Sequence, residues 1–268
     1  MSNAEPSHRN RLNQKQLEIL HLIYRFRFVT TKLVAECLGK SSGSAVYARL
    51  TNLAEQGYIG RRYEPEYRLR GQHAAYYLLS DGARALRRQP REDYDYSPRT
   101  LHNLHKDRDA SDQFVDHSLA VMEARCQLKA LYGDRLQFST KSDLAAVEYF
   151  PQPLPDAYLR LEHDGRAKQY FLDVHHESQP FFMATRRIKQ YAAYANSDLW
   201  QITESDLPDI LAICDTPAMQ KRLQKKMAKE PHAGLNFWVT TIDAVIKIGE
   251  NAQIWQHADK PEQIGDLG

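Results

Sequence analysis

One stretch of the chain constrains its fold more than any other: LPDAYLRLEHDGRAKQYFLDVHHE, residues 154–177. Its central Asp164-Gly165 pair is typical of a two-residue hairpin turn. Strands paired around this turn place Asp156 opposite Asp173 and gather the apolar side chains on one face. A slip of one residue would scatter that apolar set, so the pattern predicts the register. The set comprises Leu159, Leu161, Tyr170, Leu172 and Val174.

The predicted hairpin brings two carboxylates together at its open end. Opposed side chains lie about 5 Å apart at Cβ, and carboxylates at that distance repel unless a cation separates them or one is protonated. Asp156 and Asp173 therefore predict a site for an oxygen-preferring divalent ion, Mg²⁺ or Mn²⁺. The alternative is that the two aspartates diverge at the strand ends, each solvated or paired with an arginine.

Charge is divided unevenly along the chain. Residues 1–92 contain 16 Lys and Arg against 8 Asp and Glu, whereas the remainder contains 20 against 26. A basic module of this size most often binds nucleic acid. The polar N-terminal residues lack the apolar run of a signal peptide, and no run approaches the roughly 20 apolar residues that span a bilayer. We therefore expect a cytoplasmic protein with no membrane partner.

The basic segment, residues 1–90, has the pattern of a winged helix-turn-helix. Apolar residues at helical spacing, threonine or serine caps and two short strands around an arginine-bearing loop follow one another in the required order. The predicted elements are helices at 17–24, from Thr30, and from Ser41 or Ser42 to Gly57, strands at 58–63 and 74–79, and a short helix capped by Ser80.

A winged helix places its third helix in the major groove and its wing along the phosphates, so double-stranded DNA is the expected partner. Winged helices also dock proteins, and arginines on a hairpin can serve solubility alone. The candidate DNA contacts are the outward residues Ser44, Tyr47, Ala48, Arg49, Thr51 and Asn52 of the third helix, and Arg61, Arg62, Arg68 and Arg70 in or beside the wing.

Residues 91–106 contain proline and mixed charge without an apolar period, which predicts a linker to a second domain at 107–268. The element order of that domain, αβββαβαβ, predicts an α/β (α+β) sandwich around a mixed sheet. Besides the hairpin, the predicted elements are helices at 110–131, 181–196 and 217–229, and strands at 145–150, 209–214 and 234–241.

Five segments carry a family resemblance: YYLLSDGARAL, DHSLAVMEA, LPDAYL, YFLDVHHES and RRIKQYAAY. In this order, over about residues 12–257, they resemble the replication-relaxation family of bacterial mobile elements. A Pro-Asp pair that opens one strand and an acidic residue that closes the next also resemble the PD-(D/E)xK nuclease superfamily. The resemblance implies a winged helix followed by a PD-(D/E)xK-like domain, and an association with plasmid replication and relaxation of plasmid DNA.

The resemblance also implies roles for single residues. Asp156 and Asp173 match the acidic, metal-binding positions, and His175 stands where the superfamily carries lysine. Lys189, in the matching RRIKQY segment, is a candidate replacement for that lysine, and His175 is a candidate metal ligand or base. His117, which matches a helix histidine of the family, could approach from the first helix of the domain.

Two functional hypotheses follow. The first is a DNA-binding protein of a plasmid or mobile genetic element that nicks DNA with Mg²⁺ or Mn²⁺ held by Asp156 and Asp173. The second is a catalytically inactive winged-helix regulator or replication accessory protein, which the missing lysine favours. Replication or transfer proteins are expected partners in either case, and no oligomeric state is predicted.

Overall fold

The computed structural model describes residues 12–40, 43–63, 73–91, 94–163, 165–229, 235–246 and 253–267. The chain forms two compact units, Met1–Asp109 and Ala110–Gly268. None of the described helices is both long enough and apolar enough to cross a membrane.

The first unit combines α-helices with a small β-sheet. Its three strands form an antiparallel sheet in the order β1-β3-β2. A short 3-10 helix, Leu104–Asp109, ends the unit. The elements are α1 (Gln14–Phe26), β1 (Phe28–Val29), α2 (Thr31–Cys37), α3 (Ser44–Glu55), β2 (Ile59–Arg62), β3 (Ala75–Leu78), α4 (Ser80–Arg88) and α5 (Pro98–Asn103).

The helix starts of the first unit follow the predicted caps only in part. Thr30 caps α2 as predicted, because its hydroxyl accepts the backbone N–H of Leu33. Ser41 and Ser42 lie outside the described residues, and Gly43 is the residue before α3. Ser80 is the first residue of α4 rather than its cap, so this detail of the prediction is wrong.

The segment predicted as a linker carries structure of its own in its described part. It contains α5, which Ser97 caps by accepting the Thr100 N–H. Tyr96 packs edge-on against Tyr24 of α1, whose hydroxyl accepts the Ser97 N–H at 2.9 Å. Aromatic burial therefore holds the segment in the first unit, despite its proline and mixed charge.

The second unit is built around a seven-stranded mixed sheet in the order β10-β9-β8-β7-β6-β5-β4. Strands β6, β7 and β8 are parallel, and the remaining neighbours are antiparallel. The elements are α6 (Asp112–Tyr132), β4 (Leu136–Thr140), β5 (Ala157–His163), β6 (Arg166–His175), α7 (Phe181–Ala195), β7 (Asp209–Cys214), α8 (Pro217–Met227), β8 (Phe237–Thr241), α9 (Ile242–Ile246), β9 (Trp255–His257) and β10 (Ile264–Gly265).

The hairpin register predicted from the alternation is confirmed, because Tyr158 pairs with Phe171 and Leu159 with Tyr170. Asp164 lies outside the described residues, while Gly165 has φ +75°, a left-handed conformation that suits glycine in such a turn. The predicted apolar face is buried. The opposite face is buried toward the open end of the hairpin, where Phe171 is fully enclosed, whereas Arg160 and Glu162 on the same face are exposed. Helices α7 and α8 cover that second face.

The fold class predicted from the sequence is confirmed, with one strand misplaced. Residues 145–150, predicted as a strand, form turns, and the edge strand of the mixed sheet is β4. Leu144 and Phe150 nevertheless contribute to the core beneath α7. These residues are therefore apolar because they are buried in a loop, not because they belong to a strand.

Candidate functional site

Asp156, which precedes β5, is held by three groups from different parts of the second unit. Its carboxylate Oδ1 lies 2.9 Å from Nε2 of His117 on α6 and accepts from Nζ of Lys141 at 2.5 Å. Its Oδ2 accepts the backbone N–H of Val174 at 2.9 Å. Both carboxylate oxygens are therefore engaged, and the residue is only 6% exposed.

The surroundings of Asp156 keep its carboxyl group ionised. Burial raises the pKa of Asp156, but His117 and Lys141 lower it more strongly, so the pKa lies well below its ordinary value. The two partners differ in access to solvent, because the Lys141 side chain is 52% exposed and that of His117 is 13% exposed. In addition, Nδ1 of His117 is buried and has no hydrogen-bond partner within the described part of the chain.

Asp173, in β6, is paired with an arginine from α7. Nε of Arg187 lies 3.1 and 3.0 Å from the two carboxylate oxygens of Asp173. The same guanidinium donates to the Pro153 carbonyl and, at 3.0 Å, to the hydroxyl of Tyr191, and its centre lies 4.5 Å from the Tyr191 ring centroid. Burial raises the pKa of Tyr191 well above its ordinary value, and Asp173 adds to the rise.

The remaining predicted catalytic residues occupy different positions. His175 ends β6 near both aspartates, and burial lowers its pKa against the opposing effect of Asp173, so its imidazole is neutral at pH 7. Lys189 is exposed and lies two residues after Arg187, roughly 200° around α7 from it. The α7 side chain that reaches Asp173 is therefore Arg187.

The sequence predictions missed Lys141 and Arg187. Thr140 of β4 pairs with Ala157, so Lys141 comes next to Asp156 by simple extension of the register. That signal was hidden because the strand was predicted at residues 145–150. Arg187 lies in the RRIKQY segment that drew attention to Lys189, and its position four residues before Tyr191 puts both side chains on one helix face. His117, already a candidate, contacts Asp156 as described.

The residues present do not fit the predicted divalent ion in this arrangement. Within the described ranges, no group of three or more His, Cys, Asp and Glu side chains could hold a metal ion. Lys141 and Arg187 already place positive charge on Asp156 and Asp173, so the repulsion that predicted a metal is relieved by side chains. A divalent ion would have to displace at least one of these cations. The two aspartates thus match the predicted alternative in which each is paired with a cationic side chain, but they are buried rather than solvated.

In the first unit, α3 presents one buried face and one exposed face. Val46, Leu50 and Leu53 are fully buried, as their helical spacing predicts. On the other side, Ser44, Tyr47 and Asn52 are exposed, with Tyr47 half exposed. The outward residues predicted as DNA contacts therefore do face away from the core of the unit.

Two of these candidate residues, Asn52 and Arg49, are oriented by hydrogen bonds within the unit. The Asn52 amide oxygen accepts from the side-chain amides of Gln16 at 3.0 Å and Gln56 at 2.9 Å, which leaves its N–H donors turned away from them. Arg49 donates to the Ala45 carbonyl at 3.2 Å.

The strand next to the predicted wing is basic. Arg61 is exposed, and its guanidinium lies 5.0 Å from the ring centroid of Tyr63. Arg62 follows it on β2 and is partly exposed. Arg68 and Arg70, predicted as wing contacts, lie outside the described residues.

Comparison with known proteins gives a family match and two solved structures. The replication-relaxation family model matches residues 20–210. The FokI restriction endonuclease is 11% identical at a TM-score of 0.32, covering 87% of this chain and 42% of FokI. FokI bound to DNA is 10% identical at a TM-score of 0.31, covering 92% of this chain and 45% of that chain. This chain spans less than half the length of either structure. No curated protein matches it.

Proposed function

This chain belongs to the replication-relaxation family, and we propose that it is a DNA-binding protein whose first unit binds duplex DNA. The observation that carries this proposal is the outward face of α3, where Ser44, Tyr47 and Asn52 are exposed. In a winged helix this face enters the major groove, and the arginines beside the wing meet the phosphates. Arg61 and Arg62 are suitably placed for the second role.

Asn52 is the residue most suited to a base contact. Asparagine pairs with adenine through its amide, and an amide that is fixed in advance loses less side-chain entropy on binding. The hydrogen bonds from Gln16 and Gln56 fix Asn52 with its N–H donors outward. We expect Asn52 to donate to a base-edge acceptor, while Arg61 and Arg62 contribute affinity without sequence preference.

For the second unit we propose a non-catalytic role. Asp156 and Asp173 are each neutralised by a cationic side chain of the same unit. A metal-dependent nuclease needs its carboxylates to hold a metal that activates water. Ion pairs with Lys141 and Arg187 instead make these carboxylates part of the internal framework. We further propose that the DNA is that of a plasmid or mobile element, with replication or transfer proteins as partners.

A second candidate function is metal-dependent nicking of that DNA. The half-exposed Lys141 favours it, because an exposed ammonium group can leave Asp156 at small cost and open one carboxylate to an ion. His175 would then be a candidate base, since it lies close enough to both aspartates for their charges to raise its pKa against the effect of burial. Nicking would still require one of two things. Either the ion pair between Asp173 and Arg187 opens, or the metal is held without a ligand from Asp173.

Duplex binding is tested by fluorescence anisotropy with a labelled duplex at several salt concentrations. We expect an R61Q/R62Q double variant to bind more weakly and to lower the salt slope by about 1.8, that is 0.9 for each lost phosphate contact. The matched control is R87Q/R88Q, which removes two exposed charges from α4 of the same unit. Equal losses in the two double variants, or no duplex binding by the wild type at low salt, would refute the proposal.

The two roles of the second unit are separated by incubating supercoiled plasmid with the protein and Mg²⁺ or Mn²⁺. We expect the plasmid to stay supercoiled with wild type, D156A and D173A alike. Conversion to open-circular DNA by wild type but by neither variant would establish nicking and reject the non-catalytic role.

A further inference from the structure

Helices α7 and α8 carry positive charge without any negative charge. They pack side by side over the same face of the mixed sheet, with Ile188 and Leu223 among their buried residues. Neither FFMATRRIKQYAAYA nor PAMQKRLQKKM contains an aspartate or a glutamate. Their cations are Arg186, Arg187, Lys189, Lys221, Arg222, Lys225 and Lys226.

This concentration of charge contrasts with the rest of the second unit. Residues 110–268 contain 17 Lys and Arg against 22 Asp and Glu, so the unit as a whole is acidic. The two helices hold seven of its cations and none of its carboxylates. Of the seven, Arg187 pairs with the buried Asp173. A surface of one sign on a unit of the opposite sign indicates a polyanionic partner.

The exposed side chains of the two helices form one surface, which we call the cationic face: Phe182, Arg186, Lys189, Lys221, Arg222 and Lys225 are all exposed. Arg222 of α8 lies over the ring of Phe181 of α7 at 3.9 Å, which ties the two helices together at this surface. Lys221 and Lys225 form no ion pair within the part of the chain that the structure describes.

An aromatic ring stands among these charges. Phe182 is 65% exposed and makes no ring contact with another described residue. It lies one helical turn before Arg186 and two turns before Lys189, so the three share one stripe of α7. The exposed face of this ring is free to stack on a flat partner group.

We propose that the cationic face binds single-stranded DNA. Phosphates would contact the α8 lysines and Arg186, while an unpaired base would stack on Phe182. Stacking on an aromatic ring beside a basic track is the chemistry by which single strands are bound without sequence preference. A duplex keeps its bases stacked inside and would leave Phe182 uncovered. This inference rests on the proposed DNA-binding function and adds a second contact, for a strand that the first unit does not bind.

The charge component is tested with the full chain by anisotropy, using a labelled single-stranded oligonucleotide and the corresponding duplex. We expect K221Q/R222Q/K225Q to weaken single-strand binding and to lower its salt slope by about 2, or 0.7 for each lost contact. The control R160Q/R166Q/K168Q removes three exposed charges from the β5–β6 hairpin and is expected to leave the slope unchanged. Equal effects of the two triple variants would overturn the proposal.

The stacking component is tested at Phe182. We expect F182A to weaken single-strand binding about tenfold and duplex binding not at all, and F182Y to bind as wild type does. Unchanged single-strand binding by F182A would overturn the inference, even if duplex binding through Arg61 and Arg62 stands. Absence of binding to either DNA by the wild type would instead refute the proposed function itself.

Discussion

Arg187 links three parts of the second unit through one guanidinium, which donates to Asp173, to the Pro153 carbonyl and to Tyr191. The side chains of Arg187 and Asp173 are 11% and 9% exposed. Attraction between them therefore acts with little screening by water, and the loss of either partner leaves a buried charge unpaired. The pair stabilises the native state mainly by avoiding that penalty.

We therefore expect R187A to lower the free energy of unfolding by about 3–5 kcal/mol, because Asp173 would remain buried without a partner. The double variant D173N/R187M, which removes both charges, should lose clearly less than the sum of the two single variants. Urea denaturation followed by circular dichroism measures both. A loss below about 1 kcal/mol in R187A would show that Asp173 is not held in the way described.

Asp156 makes stability depend on pH in a defined direction. Its pKa is lowered in the folded state, so its contribution is present above the pKa of the unfolded chain, about 3.9, and is lost as the pH falls further. We expect D156N to be less stable than wild type at pH 7 and the difference to shrink below about pH 4. Urea midpoints between pH 7 and pH 3 measure it.

The control for this pH dependence is D134N, because Asp134 is exposed and pairs with Lys129 at the surface. Its stability difference from wild type should stay small throughout. A D156N difference that is constant down to pH 3 would contradict the ion-pair account of Asp156.

At the scale of elements, the position of α4 depends on a close approach between its backbone at Gly82 and the backbone of Tyr58. A Cβ added at Gly82 would lie 2.3 Å from the Tyr58 carbonyl oxygen, which also accepts the Leu79 N–H. Backbone of this kind has little room to shift. The start of α4 can therefore approach the beginning of the β2 strand only with glycine at position 82.

We expect G82A to destabilise the first unit by about 1–3 kcal/mol despite the better helix propensity of alanine. The matched control is G43A, where an added Cβ meets only the Thr31 methyl group at 3.5 Å and φ is negative. G43A should be neutral or slightly stabilising. Thermal unfolding of the two variants compares them directly, and equal losses would refute the close-contact explanation.

Local pattern predicted the elements well where it had a clear period. The alternation and register of the β5–β6 hairpin were predicted correctly, as was the buried face of α3. The edge strand β4 was not predicted, because its sequence LQFST has a single buried residue at each end and follows a short 3-10 helix at the end of α6. Missing β4 also meant missing Lys141, whose place beside Asp156 depends on that strand.

The acidic pair shows the limit of sequence reasoning at the site. Spacing brought Asp156 and Asp173 together correctly, but it could not say which cation would separate them. That choice is made by α7 and by the turn after β4, whose side chains reach the two aspartates from outside the hairpin. Side-chain contacts between different elements decide the chemistry, and the alternation within one element does not predict them.

For the whole molecule, the central question is whether stability and DNA binding depend on a divalent ion. Ion pairs inside the second unit provide the charge compensation that a metal would provide. We expect 5 mM Mg²⁺ or Mn²⁺ to shift the melting temperature by less than about 1 °C, and EDTA to leave duplex binding unchanged. An ion present at 100 times its Kd would stabilise by about 2.7 kcal/mol, roughly 5–10 °C.

Differential scanning fluorimetry of wild type and D173A measures this shift in melting temperature. Ca²⁺ serves as the ionic-strength control, since it adds the same charge with a different coordination preference. A shift of several degrees in wild type that D173A abolishes would favour the metal-dependent alternative.

Val174 donates a hydrogen bond to Asp156, and Arg187 forms an ion pair with Asp173. Both aspartates therefore contribute to folding, which affects how they are retained in evolution. Once two acids support the framework, selection for a folded protein retains them whether or not hydrolysis survives. A related sequence that keeps both aspartates would therefore reveal little about activity. The informative position would be 187: a basic residue there would keep Asp173 paired, and a small neutral residue would leave that carboxylate open to a cation.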